Sequence, residues 1–304
     1  MITYVTGNLF HSPAQVLVNT VNIVGVMGKG VAYEFKRIYP EMFEQYRVLC
    51  EQGKLQIGTL WLYKSRNKWV LNFPTKKHWR NPSHPDYIRA GLDKFRQIYV
   101  DWGIHSIAFP PLGCGNGELD FETQVRPLME QYLHNLPIDI FIYPDREDPY
   151  LPEHADAENF REWLRSQPEA LAFTEVWEDI HTLLDTRNTF ETIPRKSPFT
   201  ARILPDTEAL EITASGNIYI IEKDVLLSFW QQLRSYGFST RLIAPGVDRQ
   251  MSYIIPIFAE LPYVKPVKLS DQYDKLLKAS IVGLQYVPGF RRKTSPIQPS
   301  LFEF

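Results

Sequence analysis

The sequence predicts an α/β protein: strands and helices alternate around a largely parallel or mixed sheet in the first half, and a smaller α+β region follows. Three observations carry this. Short apolar runs rich in Val, Ile and Phe recur between longer stretches with helical spacing through residues 1–145. Two of these runs empty into glycine-rich loops that lead into helices, the place where α/β folds hold ligands. Beyond residue 199 the pattern changes to strands, a tight turn and an amphipathic helix.

Taken in order, residues 2–5 read as a strand and 16–21 as a buried one. Residues 31–39 read as a helix, and Pro40 opens another that reaches Glu51, with proline at a first helical position. Residues 58–63 and 69–73 suit a hairpin. Residues 87–102 carry Ile88, Leu92, Phe95, Ile98 and Tyr99 at helical spacing. A strand at 107–109, a helix at 121–133 and a strand at 138–143 complete the first domain, set at 1–145. Residues 144–154 hold three prolines and several charges, the expected linker, so that 146–168 are assigned to linker and helix. The C-terminal α+β domain is set at 169–290. A helix at 157–166 leads into it, and it contains a helix at 169–184, strands at 200–204, 209–213 and 218–221, a helix at 223–236 and a strand at 252–258. Residues 291–304, polar and proline-containing, read as a flexible tail.

The bulk numbers narrow the class. A chain of 304 residues suits two domains, and 44% hydrophobic content supplies their cores. A net charge of -2 excludes a global electrostatic pull toward nucleic acid, so any such contact must come from a local patch. Two cysteines give no disulfide framework and fit a reducing cytoplasm. The first residues pattern as a strand rather than a leader, and no apolar run approaches a membrane span, so the expected location is cytoplasmic.

Three segments carry chemistry. In the first, Val18-Asn19-Thr20-Val21-Asn22 runs into Gly25-Val26-Met27-Gly28-Lys29-Gly30-Val31-Ala32, a strand, glycine loop and helix start. Glycine permits positive φ and close backbone approach, and free N–H groups at a helix start suit a phosphate; a plain tight turn explains the loop as well. In the second, Pro110-Pro111-Leu112-Gly113-Cys114-Gly115-Asn116-Gly117 repeats the arrangement. Two such loops in one small domain suit a clamp on a diphosphate. Cys114 reads better as a packing residue than as a nucleophile. The third is Asn72-Phe73-Pro74-Thr75-Lys76-Lys77-His78-Trp79-Arg80, by composition a solvated basic loop, whose cations and aromatic ring also suit a nucleic-acid strand. No metal-ligand pattern stands out, and no metal or cofactor is expected.

The order G-N-L-F, V-N-T-V-N, G-V-M-G-K-G-V-A, T-K-K-H-W-R and P-P-L-G-C-G-N-G resembles the macrodomain family. Within it, the match is to the branch of terminal ADP-ribose glycohydrolases and of the DarG antitoxins, which reverse DNA ADP-ribosylation. The resemblance covers residues 1 to about 145. It implies a macrodomain with a mixed central sheet flanked by helices, and ADP-ribose as ligand or product. Asn8, beside Leu9, stands where the family usually has an aspartate for the adenine amino group; an amide oxygen still accepts that bond, without charge. Asn19 and Asn22 fall where the family lines the distal ribose. Gly28, Lys29, Gly30 and Val31 correspond to the first diphosphate loop, and Gly113, Cys114, Gly115, Asn116 and Gly117 to the second. Lys76 matches the lysine that this branch uses for catalysis, as an attacking amine or as a charge aiding departure of the base. Lys77 would point the other way.

One departure bears on the substrate. The protein-directed hydrolases of this branch carry an aspartate two residues beyond their G-C-G, and here that residue is Gly117. Glu118, Asp120 and His78 are substitutes, each better explained as solvated or capping. The resemblance therefore points to ADP-ribosylated DNA, with Lys77, His78, Trp79 and Arg80 as candidate contacts to the strand, and to a partnership with an ADP-ribosyltransferase toxin. A reader of ADP-ribose without turnover and a protein-directed hydrolase are the alternatives. The C-terminal region does not resemble the partner-binding half of the DarG antitoxins, and its residues do not name a family. A small partner-docking α+β domain is the plain reading, and a winged-helix-like nucleic-acid module the lesser one. In the tail, Gln298-Pro299-Ser300-Leu301-Phe302 resembles the Q-x-x-L-F peptide that docks on bacterial sliding clamps, with Gln298, Leu301 and Phe302 as its anchors.

Overall fold

The computed structural model describes residues 1–144, 153–193, 195–240, 250–270 and 281–287. The proposed linker core and the tail with Gln298, Leu301 and Phe302 lie outside the described residues. The chain divides into two compact units, Met1–Phe160 and Arg161–Phe304.

The first unit is built on a six-stranded sheet in the order β1-β6-β5-β2-β4-β3. Its strands are β1 (Ile2–Tyr4), β2 (Val16–Asn22), β3 (Trp61–Lys64), β4 (Trp69–Lys76), β5 (Ser106–Phe109) and β6 (Asp139–Ile142). All neighbours are parallel except β3, which runs antiparallel to β4. The sheet is therefore mixed, as the alternation and the hairpin at 58–73 predict. Helices α1 (Gly30–Ile38) and α2 (Pro40–Glu51) follow β2, α3 (Pro85–Ile98) follows β4, and α4 (Arg126–Leu133) follows β5. The helix expected over 121–133 begins as a π turn at Phe121–Val125, capped by the Asp120 side chain.

The core explains the order. Val16, Val18, Phe73, Ile107 and Phe109 of the sheet pack with Ile88, Leu92 and Phe95 of α3 and Met129 and Leu133 of α4, all fully buried. Each such side chain contributes about 2 kcal/mol by leaving water. Gly91 lets α3 lie on Phe73: a Cβ there would sit 2.2 Å from the ring's Cζ and 2.4 Å from Cε1. Phe73 is fully buried and has nowhere to go. Gly91→Ala should therefore destabilise by about 1–3 kcal/mol through overpacking, although alanine is the better helix former by about 1 kcal/mol. Thermal denaturation checks this; an unchanged Tm would mean that the ring moves aside without cost.

The second unit holds α6 (Phe173–Thr186), preceded by α5 (Ala157–Arg165), which begins in the first unit. A four-stranded antiparallel sheet has the order β10-β9-β8-β7, from β7 (Thr189–Glu191), β8 (Pro198–Ile203), β9 (Leu210–Ala214) and β10 (Asn217–Ile221). Helix α7 (Lys223–Tyr236) follows, with Leu226, Phe229, Trp230 and Leu233 buried. A three-stranded antiparallel sheet β11-β13-β12 comes from β11 (Phe238–Thr240), β12 (Val264–Leu269) and β13 (Ile281–Tyr286). The strand expected at 252–258 is instead helix α8 (Met251–Phe258). Its run of Ile254, Ile255, Pro256, Ile257 and Phe258 is buried all round, so it has no polar face to show a helical period. The helical stretch expected from residue 169 opens with a 3-10 turn at Pro168–Ala170. Arg165 binds the Asp179 carboxylate at 2.6 and 2.8 Å, and Tyr263 donates its hydroxyl to the same group at 2.9 Å. Burial and this carboxylate push the Tyr263 phenol well above its ordinary value. Among the described residues no helix is long and apolar enough to cross a membrane.

Candidate functional site

The carboxyl ends of β5, β2 and β4 lie side by side, and the three chemistry-bearing segments leave the sheet there. A cleft opens among them, lined by Asn22, Lys29, Gly30, Val31, Lys76 and the loop 113–117, together with Thr20, Val21, Val26, Ala32, Thr75, Pro110 and Pro111.

The first loop is folded by Asn22. Its Oδ1 accepts from the N–H groups of Val24 and Val26 at 3.1 and 3.2 Å and from the Tyr46 hydroxyl at 3.1 Å, while its Nδ2 donates to the Val26 carbonyl at 2.7 Å. Asn22 thus shapes the loop as well as bordering the cleft. Gly30 adopts φ +58°, a left-handed conformation that an L side chain resists, and starts α1. Lys29 at the N-cap makes no side-chain cap bond, and Gly30, Val31 and Ala32 of the first turn line the cleft. Such a terminus favours an anion.

In the second loop Gly113 and Gly115 have φ of +69° and +60°. The N–H groups of Cys114, Gly117, Glu118 and Leu119 are used inside the loop, on Pro111, Cys114, Gly115 and Gly113 carbonyls. Those of Gly115 and Asn116 are not among these internal bonds. Desolvation, helped by Asp120, pushes the Cys114 thiol up to about 12. A thiol in that state is not a nucleophile at neutral pH.

Lys76 is the last residue of β4 and is 6% exposed. Its Nζ donates to the carbonyl of Trp79 at 2.8 Å and to that of Asn116 at 3.0 Å. The second bond ties the lysine to the glycine loop across the cleft. Among the described residues, no Asp or Glu lines the cleft. Asp120 is engaged as a cap, accepting from the Thr123 N–H and hydroxyl, which hold its carboxyl below the usual range. The Nδ1 of His78 accepts from the Arg80 N–H at 3.1 Å.

Other sequence-derived positions fall elsewhere. Asn19 is fully buried and does not line the cleft; it lies opposite Asn72 in β4 and donates to its Oδ1 at 3.0 Å. Asn8 caps a 3-10 turn, accepting from the Phe10 N–H at 2.9 Å, and Leu9 is buried. Neither borders the cleft, nor does Gly28. Of the basic stretch, Lys77 is exposed, and His78 and Arg80 are half-buried. Trp79 is fully buried, with its ring 4.7 Å from Phe160, edge-on. Its indole is a packing group, which leaves no face for stacking on a base. Sequence reasoning passed over Ser83. Its hydroxyl donates to the Thr75 carbonyl at 2.5 Å and its N–H to the Gly117 carbonyl at 2.9 Å. A serine in the run N-P-S-H-P carries no signal beyond a loop.

Residues 18–127 match the model of the Macro domain. The first unit of this chain is a macrodomain. Its relatives include the DNA ADP-ribosyl glycohydrolase of Mycobacterium tuberculosis, 46% identical over 148 residues, covering 47% of this chain and 42% of that protein. The DNA ADP-ribosyl transferase-DNA ADP-ribosyl glycohydrolase fusion protein of Thermosipho africanus is 37% identical over 161 residues, 47% of this chain and 41% of that one. Among solved structures, the macrodomain of Mycobacterium tuberculosis DarG is 46% identical and covers 48% of this chain and 99% of that one, with a TM-score of 0.47. The chain spans less than half the length of these two curated relatives.

Proposed function

We propose that this protein is an ADP-ribosyl glycohydrolase that removes mono-ADP-ribose from DNA. One observation carries the reading: a buried lysine stands in a cleft between two glycine loops, and among the described residues no carboxylate lines it. The loops suit the diphosphate, one at the start of α1 and one after β5. Lys76 then faces the distal ribose. As an amine it forms an Nζ–C1″ bond to the opened sugar while the C1″–base bond breaks and the base leaves with a proton; water then cleaves the Nζ–C1″ bond and restores the amine. As an ammonium it instead stabilises charge on the departing base. Either route needs no metal or cofactor.

The 46% identity to a protein named for this activity supports the substrate. So does Gly117, at the position where the protein-directed branch uses a carboxylate. Lys77, exposed beside the lysine, is the candidate contact to the strand. The fused transferase in Thermosipho africanus supports a cognate ADP-ribosyltransferase toxin as partner and an antitoxin role, in the cytoplasm. The clamp motif at Gln298, Leu301 and Phe302 is a further proposed contact, resting on sequence. The test is release of ADP-ribose from mono-ADP-ribosylated single-stranded DNA, beside ADP-ribosylated protein. Release from DNA is expected. Tight binding of ADP-ribose with no release from either substrate would make the protein a reader, and release from protein alone would reverse the substrate.

A further inference from the structure

Strands β2 and β4 are in one-to-one register from Val16 opposite Trp69 to Val21 opposite Pro74, and then Asn22 stands opposite Lys76. Thr75 is the extra residue, a β-bulge. A bulge interrupts the alternation of side chains and re-aims the residue that follows it. The residue that follows is Lys76. Pro74, which lacks an N–H, immediately precedes the bulge, where the lost ladder donor is tolerated.

A bulged peptide buried beside a cleft needs a partner for its carbonyl. Thr75 is 3% exposed, and its carbonyl oxygen accepts from Ser83 Oγ. The backbone N–H of the same serine holds the Gly117 carbonyl, one residue from the Asn116 carbonyl that accepts from Lys76. Ser83 therefore ties together both sides of the lysine's seat. The glycines of the second loop leave room for it: a Cβ at Gly113 would lie 2.7 Å from Ser83 Oγ, and one at Gly117 would lie 2.8 Å from Ser83 Cβ. An aspartate at residue 117 would need the space that Ser83 occupies.

We infer that Ser83 is a positioning residue, which holds the Thr75 bulge against the second glycine loop and so aims the Lys76 amine at the reacting carbon. This rests on Lys76 acting in turnover. The hydroxyl binds the backbone carbonyl of Thr75, on the lysine's side of the cleft, rather than an N–H group attributed to the diphosphate, so its loss should slow the chemical step more than it weakens ligand binding.

The experiment compares full-length wild type, Ser83→Ala and Lys76→Ala for kcat and KM on mono-ADP-ribosylated single-stranded DNA, for ADP-ribose affinity by calorimetry, and for Tm. Ser83→Ala is expected to lower kcat about tenfold or more, consistent with loss of a well-aimed group, with KM and ADP-ribose affinity within about threefold. An unchanged kcat overturns the inference. So does a loss of ADP-ribose affinity as large as the loss of kcat, which would mark a merely structural serine. If Ser83→Ala does not fold, Ser83→Cys replaces it: a thiol of similar shape is a weak donor, and a wild-type kcat there also overturns the inference. Full activity of Lys76→Ala would instead remove the functional reading on which the inference stands, so the two failures are distinct.

Discussion

Lys76→Ala is expected to lower release of ADP-ribose from DNA by about two to four orders of magnitude, the range for a positioned acid, base or nucleophile, while ADP-ribose still binds. The side chain is buried, ends a central strand, and holds its nitrogen between the carbonyls of Trp79 and Asn116. The N–H rows attributed to the diphosphate belong to backbone on other elements and survive the change. Single-turnover kinetics with calorimetry on the same protein separates the two effects. Release within a few-fold of wild type would take Lys76 out of the mechanism. Lys76→Arg divides the two chemical roles. A guanidinium keeps the charge and is no nucleophile at neutral pH, so substantial residual turnover favours charge stabilisation and a loss equal to that of alanine favours the amine.

Gly113→Ala should weaken ADP-ribose binding about 30-fold or more. Two costs combine. Gly113 has φ +69°, which costs an L residue about 1–2 kcal/mol. The added methyl would also lie 2.7 Å from Ser83 Oγ, 3.0 Å from Leu119 Cδ1 and 3.1 Å from Ile88 Cδ1. Ile88 is fully buried and cannot withdraw. The loop is expected to relax away from its ligand-ready shape, and the ligand must then restore it. About 2 kcal/mol of such work corresponds to roughly 30-fold in affinity. Calorimetry with ADP-ribose checks the value, and affinity within threefold of wild type would show that this loop does not hold the ligand.

The two loops were legible because their signal is local. Glycine is the residue that tolerates φ near +60°, and Gly30, Gly113 and Gly115 take that conformation next to strand ends that periodicity already marks. Lys76 had no such signal of its own: by composition its segment reads as a solvated basic loop, and only the resemblance of the contiguous motif T-K-K-H-W-R to the macrodomain family singled it out. The sheet of the first unit followed from alternation of strand and helix patterns.

Other features depend on which segments meet. The C-terminal unit was only partly legible: β7, β11, β12 and β13 are short or lean on distant partners for their pairing, and α8 hides its period because every side of it is buried. Trp79 reads as a surface aromatic among cations until Phe160, some eighty residues away, packs on its ring. Nothing in the sequence pairs Asn19 with Asn72, fifty-three residues on, to which it donates in the folded sheet.

What the sequence by itself determined is the chemistry available: two glycine loops at strand ends, a lysine in the segment after a third strand, and no aspartate at residue 117. Only the tertiary structure decided how that chemistry is aimed. The bulge at Thr75 exists only in the register of β4 against β2, and the hydroxyl that satisfies it belongs to Ser83. The physical reason is that backbone conformation is written residue by residue, whereas register, burial and the partner of a bulged carbonyl are set by segments that meet only in the folded chain.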